Sequence, residues 1–164
     1  MIRYARFVTP LGALFATAAR GALTGLYFEG GRHAPAIGSD WIEDANDAAL
    51  RECGRQVREY LDGARKAFDL PLAPQGSEFQ RRVWTEIARI PYGGTLTYAE
   101  LATRAGSPGS ARAAGAATGR NPLSIIVPCH RVVGSDGSLT GYAGGMTRKA
   151  KLLEIEHARI GALV

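Results

Sequence analysis

The sequence has 164 residues, of which 46% are hydrophobic, which is enough to bury the core of one domain or of two small ones. No apolar run approaches the ~18 residues that a membrane span needs, and residues 1–6 carry charge with no apolar block after them, so neither a membrane span nor a signal peptide is predicted. We therefore expect a cytoplasmic protein without a membrane partner. Two cysteines, Cys53 and Cys129, and three scattered histidines show no zinc-like spacing, so we expect no disulfide and no metal.

The net charge of +5 lies entirely in the second half of the chain. Residues 1–77 contain nine Lys or Arg and nine Asp or Glu, whereas residues 78–164 contain eleven and six. A basic half is typical of proteins that bind polyanions, because lysine and arginine near phosphates release counterions. A basic surface can also simply keep a protein in solution, so charge alone leaves both interpretations open.

The first half predicts a small α/β domain. Three runs rich in β-branched or aromatic residues, at 2–8, 13–19 and 22–28, are separated by turn residues and predict an antiparallel meander. Residues 29–40 are typical of a loop, and residues 44–61 predict a helix in which Cys53 is a packing residue.

Two prolines and a glycine in residues 71–77 coincide with the change in charge and predict a domain boundary. We expect an N-terminal α/β domain at 1–72, a linker at 73–77 and a mostly helical domain at 78–164, which together make an α+β protein. The second domain begins with an apolar stripe at helical spacing that is typical of a core-facing helix: Phe79, Val83, Trp84, Ile87 and Ile90.

A helix-turn-helix is predicted next. Thr97 and Glu100 form a capping box at the start of one helix, and Ser110 is placed to cap a second helix that ends near Gly119. The second helix is made almost entirely of small residues, with Arg112 as its one long cation. Such a helix suits either close packing on its neighbour or close approach to a DNA groove. Sequence-specific recognition is not expected, because long polar side chains that could read base edges are nearly absent.

The chemistry of the chain is concentrated around Cys129. A buried strand is predicted at 123–127, and the sequence Pro-Cys-His-Arg follows it at 128–131. A thiol beside a histidine is a candidate nucleophile, although the pair alone also fits a packed cysteine with an incidental neighbour. A glycine-rich loop at 134–145 and a helix at 148–157 follow, and Glu154 and Glu156 near the end of that helix oppose its dipole. A carboxylate there is better tolerated if it has a task, such as orienting a histidine.

The chain from Phe79 to Glu156 resembles the catalytic domain of the O6-alkylguanine-DNA alkyltransferases. The motifs that carry the resemblance occur in the family's order: Ile-Pro-Tyr-Gly-Gly-Thr at 90–95, Thr-Tyr-Ala-Glu-Leu-Ala at 97–102, Ala-Arg-Ala at 111–113, Gly-Arg-Asn-Pro at 119–122, Ile-Val-Pro-Cys-His-Arg-Val-Val at 126–133 and Leu-Thr-Gly-Tyr at 139–142. The first half resembles the family's N-terminal domain in length and layout.

The resemblance implies a set of catalytic roles. Cys129 would accept the alkyl group, His130 would act as its base through a water, and Glu156 would orient His130. Tyr98 would donate a hydrogen bond or a proton to guanine N3, and Asn121 would brace the turn that carries the cysteine.

The resemblance also implies DNA and base contacts. Arg112 would replace the flipped nucleotide in the base stack, on a helix that lies in the minor groove. The further DNA-binding residues would be Ser110, Thr118, Arg120 and Arg131. The substrate pocket would be formed by the Cys129 carbonyl together with Val132, Tyr142, Ala143 and Gly144. Ala143 departs from the serine of several relatives, so a hydroxyl contact is lost there.

These features predict a direct-reversal DNA repair protein that transfers an alkyl group irreversibly to its own cysteine. O6-methylguanine is the main expected lesion, with O4-methylthymine as a second candidate, and no cofactor is implied. We expect a monomer on double-stranded DNA and leave cooperative binding open. Two alternatives remain: a non-catalytic lesion-binding or regulatory helix-turn-helix protein, and a Cys-His hydrolase.

Overall fold

The computed structural model describes residues 1–139 and 141–157. The chain folds into two units: residues 1–75 with 122–126, and residues 76–121 with the chain from 127 onward. Thr140, which belongs to one of the family motifs, lies outside the described residues.

The first unit is built on a four-stranded sheet. Its strands are β1 (Arg3–Thr9), β2 (Gly12–Ala19), β3 (Ala22–Phe28) and β4 (Ile42–Glu43), in the order β3-β2-β1-β4. The first three form the predicted antiparallel meander, and β4 pairs in parallel with β1. The hairpin between β2 and β3 turns at Arg20 and Gly21, which both have positive φ, as two-residue hairpin turns require.

One helix, α1 (Ala48–Leu61), packs on this sheet. The predicted helix began at residue 44, which is wrong by about one turn. The Asp44 carboxylate accepts a hydrogen bond from the Asn46 amide and pairs with Arg3, while Asp47 is the residue that caps the helix through the Leu50 amide. Short polar side chains that bind nearby backbone favour turns and caps over the helix interior.

The cysteine in this helix is a core residue. Cys53 is fully buried, and burial raises the pKa of its thiol to about 12. A thiol with that pKa stays protonated at neutral pH and is a poor nucleophile. This confirms the prediction that Cys53 packs.

The strand predicted at residues 123–127 is wrong in conformation. These residues are buried, but only Leu123 bridges to β3, at Leu26, and Ile125 has a φ of 72°. The Ile126 amide donates to the Ser124 carbonyl, so the chain turns instead of extending. Residues 122–126 also pack with the first unit, whereas the sequence placed them in the second domain.

The second unit is mainly helical. Its helices are α2 (Glu78–Ala88), α3 (Tyr98–Arg104), α4 (Ala111–Gly119) and α5 (Met146–Ile155), and its two short strands are β5 (Leu96–Thr97) and β6 (Val132–Val133). Helix α2 packs against both α3 and α4, and the Trp84 indole donates to the Ala117 carbonyl at 2.8 Å. Helix α5 begins two residues earlier and ends two residues earlier than predicted.

Helices α3 and α4 form the predicted helix-turn-helix. The capping box of Thr97 and Glu100 is present at the start of α3, and Gly106 and Gly109 take positive φ in the turn. The predicted cap by Ser110 is wrong, because its side chain makes no capping hydrogen bond to α4. A mainly antiparallel sheet with one helix, followed by a second, helical unit, confirms the α+β class. Among the described residues, no helix is both long and apolar enough to cross a membrane.

Candidate active site

Cys129 lies at the start of a tight turn held by backbone and side-chain hydrogen bonds. A single turn of 3₁₀ helix covers Cys129–Arg131, and β6 follows directly. The Asn121 side-chain amide donates to the Val127 carbonyl at 2.9 Å, and the Cys129 amide donates to the same carbonyl at 2.7 Å. Asn121 therefore lies where a residue that braces this turn must lie.

The parallel pairing of β5 with β6 aligns the start of α3 with this turn. Leu96 is in register with Val132 and Thr97 with Val133, and Tyr98 is the first residue of α3. Tyr98 is half-buried, and the Lys149 ammonium lies 5.9 Å from the centre of its ring. Two residues that are 31 positions apart in sequence, Tyr98 and Cys129, are thus attached to adjacent short strands.

His130 and Glu156 form a buried pair. His130 Nε2 lies 2.8 Å from Glu156 Oε2, and both side chains are fully buried. Burial lowers the pKa of His130, although the hydrogen bond to Glu156 opposes the shift. The imidazole is therefore neutral near pH 7 and able to accept a proton, with the carboxylate ready to stabilise the charge that results.

Arg131 is the second partner of Glu156. Its Nε donates to Glu156 Oε1 at 2.7 Å and its Nη2 to Glu156 Oε2 at 2.8 Å, while Nη1 donates to the Ile90 carbonyl at 2.7 Å. Fork-shaped pairing of this kind fixes a carboxylate in direction as well as in charge. The predicted DNA-binding role of Arg131 is wrong, because the side chain is buried and its donors are used inside the protein.

Burial has the largest influence on the Cys129 thiol and raises its pKa. A hydrogen bond from Asn121, the charge on Lys149 and backbone hydrogen bonds all act in the opposite direction and lower it. The residue keeps 5% of its surface exposed. These groups favour the thiolate in a place where burial alone would suppress it.

Lys149 is a site residue that was not predicted from the sequence. Its side chain is buried in α5, and its ammonium donates to the Val132 carbonyl at 2.5 Å. Burial lowers the pKa of Lys149 to about 8, and the charge of Cys129 opposes that shift. A signal was available in the sequence, because Lys149 shares a helical face with the buried Leu152 and Leu153.

The predicted pocket residues follow the cysteine turn. Val132 and Gly144 are buried, Tyr142 and Ala143 are half-buried, and the Tyr142 ring stands edge-on to the His130 ring with centroids 6.5 Å apart. The two carbonyls expected to bind a base, those of Cys129 and Val132, accept hydrogen bonds from the Val132 amide and from Lys149. Because a carbonyl oxygen can accept two hydrogen bonds, these contacts do not by themselves prevent a base from binding.

The predicted DNA-contacting residues of α4 divide into two groups. Arg112 and Arg120 are exposed and Ser110 is half-buried. Thr118 is buried and its hydroxyl donates to the Ala114 carbonyl at 2.7 Å, so the prediction that it contacts DNA is wrong. The inward position of Thr118 follows from the packing of α4 on α2 and α3.

Nothing in the described part of the chain resembles a metal site, since no group of three or more His, Cys, Asp or Glu side chains lies within reach of one ion. The chemistry available here is that of a thiol, a neutral imidazole held by a carboxylate, a phenol and a buried ammonium.

Comparison with known proteins identifies the family. Profiles described as "6-O-methylguanine DNA methyltransferase, ribonuclease-like domain" and "6-O-methylguanine DNA methyltransferase, DNA binding domain" match residues 2–74 and 78–158. A methylated-DNA–protein-cysteine methyltransferase of Methanosarcina acetivorans is 44% identical over 93% of this chain and 97% of its own length. The protein of the same name from Mycobacterium tuberculosis is 42% identical over 99% of this chain and 96% of its own length.

The solved structures agree. The crystal structure of Mycobacterium tuberculosis OGT in complex with DNA superimposes with a TM-score of 0.84 at 42% identity, over 94% of this chain and 92% of that one. The crystal structure of M. tuberculosis O6-methylguanine methyltransferase gives a TM-score of 0.85 at 41% identity, over 96% and 93% of the two chains. The chain therefore belongs to the methylated-DNA–protein-cysteine methyltransferase family.

Proposed function

We propose that this DNA repair methyltransferase takes the alkyl group from O6 of an extruded guanine onto the sulfur of Cys129. The observation that carries the proposal is the placement of a thiol on a braced turn, next to a buried His130–Glu156 pair. The membership of the family supports it, since relatives that cover nearly the whole chain are named for this reaction.

The reaction is a displacement at an sp³ carbon. The thiolate forms the new S–C bond as the bond between carbon and O6 breaks, and the guanine oxygen takes the electron pair. Because Nε2 of His130 bonds to Glu156, its Nδ1 is the nitrogen that accepts the thiol proton, through a water. Tyr98 donates a hydrogen bond or a proton to N3 of the leaving base, and any proton that it gives up is replaced by the one that left the thiol. Overall the thiol proton replaces the alkyl group on the base, which leaves as neutral guanine.

The product is a thioether, which water does not cleave under ordinary conditions. Each molecule therefore reacts once. Only 5% of the surface of Cys129 is exposed, so the base has to enter the protein to reach the sulfur.

We further propose that α4 enters the minor groove and that Arg112 fills the gap left by the flipped base. The exposed position of Arg112 and the small residues around it support this, because small side chains let a helix approach the groove closely. Arg120 and Ser110 lie on the same helix or at its start and are proposed as phosphate contacts. Action as a monomer, use of O4-methylthymine and a cytoplasmic location stay predictions.

The test is mass spectrometry after exposure to a duplex with a single O6-methylguanine. We expect the peptide with Cys129 to gain the mass of one methylene, in at most one equivalent. Cys129→Ser should gain nothing, whereas Cys53→Ser, the matched control, should react like the wild type. An unmodified Cys129 peptide with intact lesion binding would mean a lesion-binding protein. Repeated turnover of an ester or amide would mean a hydrolase.

A further inference from the structure

A surface groove on the second unit is lined by four arginines and shares no residue with the candidate active site. Arg81, Arg82 and Arg89 come from α2 and Arg104 from the end of α3, and the groove has a volume of about 430 Å³. All four arginines are exposed. We call this surface the arginine groove.

Positive charge is in excess in the arginine groove. Arg89 pairs with Glu86 at 2.6 Å, and Arg82 lies 3.8 Å from Glu78, whose side chain is 83% exposed. Neither Arg81 nor Arg104 forms an ion pair with any described residue. Neither guanidinium has a carboxylate within salt-bridge distance among the described residues, although the charge of Arg104 helps to lower the pKa of Glu100. Both arginines belong to the half of the sequence that carries the excess positive charge.

The spacing of the arginines matches a chain of phosphates. Arg81 lies on α2 and Arg89 is the residue that follows its last turn, eight positions later, which corresponds to about 12 Å along the helix axis. One DNA strand advances about 3.4 Å along the duplex axis per phosphate, so arginines this far apart are able to contact more than one phosphate. A guanidinium group can bind two oxygens of one phosphate at once. Exposed arginines can do this without a change in the fold.

The position of Arg104 connects this surface with the helix-turn-helix. Arg104 is the last residue of α3, and the turn that leads to α4 follows immediately. Helix α4 is the element that we place in the minor groove. The Arg104 guanidinium is separated from α4 only by the turn between the two helices, so it is suited to bind a phosphate outside the minor groove.

We propose that the arginine groove is a second DNA-binding surface, which holds the phosphate backbone independently of sequence. The phosphates belong either to the flank of the duplex under repair or to a second duplex segment. The proposal rests on the repair function, but its failure would leave the chemistry at Cys129 untouched.

The test is the salt dependence of duplex binding by Arg81→Gln/Arg104→Gln. The matched control is Arg32→Gln/Arg51→Gln, which removes the same charge from exposed positions in the first unit. Because each phosphate contact contributes about 0.9 to the slope of log Kobs against log salt, we expect the groove variant to have a slope about 1.8 smaller in magnitude than the wild type and the control. Arg104→Gln alone should show about half of that change, which covers the case of a poorly folded double variant.

Duplex length separates the two sources of phosphate. If the groove binds the flank of the same duplex, the groove variant should show the smaller salt slope on a duplex of about four helical turns. On a duplex of about one turn its slope should equal that of the wild type. A second segment predicts the change on both, with two short duplexes bound per protein. A slope equal to that of the control on both lengths would overturn the proposal.

Reaction of Cys129 with free O6-benzylguanine, measured on the same samples, distinguishes failure of this proposal from failure of the proposed function. Normal alkylation with an unchanged salt slope would reject the DNA-binding role of the arginine groove alone. No alkylation of the wild type by either the free base or damaged DNA would reject the function itself.

Discussion

At the residue scale, Lys149 and Cys129 are two buried ionisable groups whose charges influence each other. The ammonium lowers the pKa of the thiol, and burial lowers the pKa of Lys149 to about 8. Below that pH Lys149 is charged and favours the Cys129 thiolate. Above it Lys149 loses its proton and no longer lowers the pKa of the thiol. Lys149 is thus a positioning residue whose contribution depends on pH.

Replacing Lys149 with methionine should slow alkyl transfer at neutral pH. A rise of one unit in the thiol pKa would lower the thiolate fraction about tenfold, so we expect a loss of roughly that size. The ratio of wild-type to variant rates should then shrink as the pH passes about 8. Single-turnover rates across a pH series measure this, with Lys151→Met, an exposed lysine of the same helix, as control. A ratio that stays constant with pH would show that Lys149 acts through its bond to Val132 and not through its charge.

Glu156 combines a structural with a chemical task, because it accepts hydrogen bonds from both His130 and Arg131. Glu156→Gln leaves the buried Arg131 guanidinium without a carboxylate. Loss of one partner of a buried ion pair costs about 3–5 kcal/mol, so the melting temperature should fall by roughly 10 °C. Differential scanning calorimetry measures the change. Glu154→Gln, on an exposed residue of α5, should melt like the wild type, and equal melting of all three proteins would contradict this account.

At the element scale, α4 is packed on one side and open on the other. Ala114, Ala117 and Thr118 face the interior, while Arg112 projects to the surface. Arg112→Ala should therefore slow repair of duplex DNA and leave the reaction with free O6-benzylguanine unchanged, because the free base needs no flipping. Parallel rate measurements on the two substrates decide this, with Arg51→Ala on α1 as control. Equal loss on both substrates would argue against insertion into the base stack.

At the scale of the whole molecule, the proposed reaction adds a methyl group to a side chain that is already buried. Cys129 is 5% exposed and its turn is braced by Asn121. Overpacking of a core by a methylene typically costs about 1–3 kcal/mol, so the S-methylated protein should melt several degrees lower than the unreacted one. Calorimetry before and after one equivalent of damaged duplex measures this, and a sample treated with undamaged duplex is the control. A melting temperature that did not fall would show that the site has room for the adduct.

Local sequence patterns were sufficient for most of the elements. The meander at residues 3–28 and the capping box at Thr97 and Glu100 follow from alternation, turn residues and caps, all of which are properties of neighbouring residues. The residue proposed as the nucleophile was also predicted from the sequence, because Cys129 lies in a dense run of family motifs. The family membership predicted from those motifs is confirmed.

Other features depend on residues that are distant in sequence. The run at 123–127 is apolar enough for a strand, and burial was correctly indicated, but the turn at Ile125 is imposed by packing on β3. Arg131 was expected to contact DNA from the family resemblance. It is instead buried, because Glu156, which lies 25 positions away, supplies the opposite charge.

The sequence by itself determined most of the elements, the family and the candidate for the nucleophile, because these depend on short-range periodicity, capping and motif order. The tertiary structure alone decided that the charges of Lys149 and Arg131 face inward. Lys149, Arg131, His130 and Glu156 are all buried, and a buried charge is stable only where the fold brings a partner of opposite charge or a hydrogen-bonding carbonyl to it. Such partners are chosen by the packing of α5 on the cysteine turn, which no local pattern specifies.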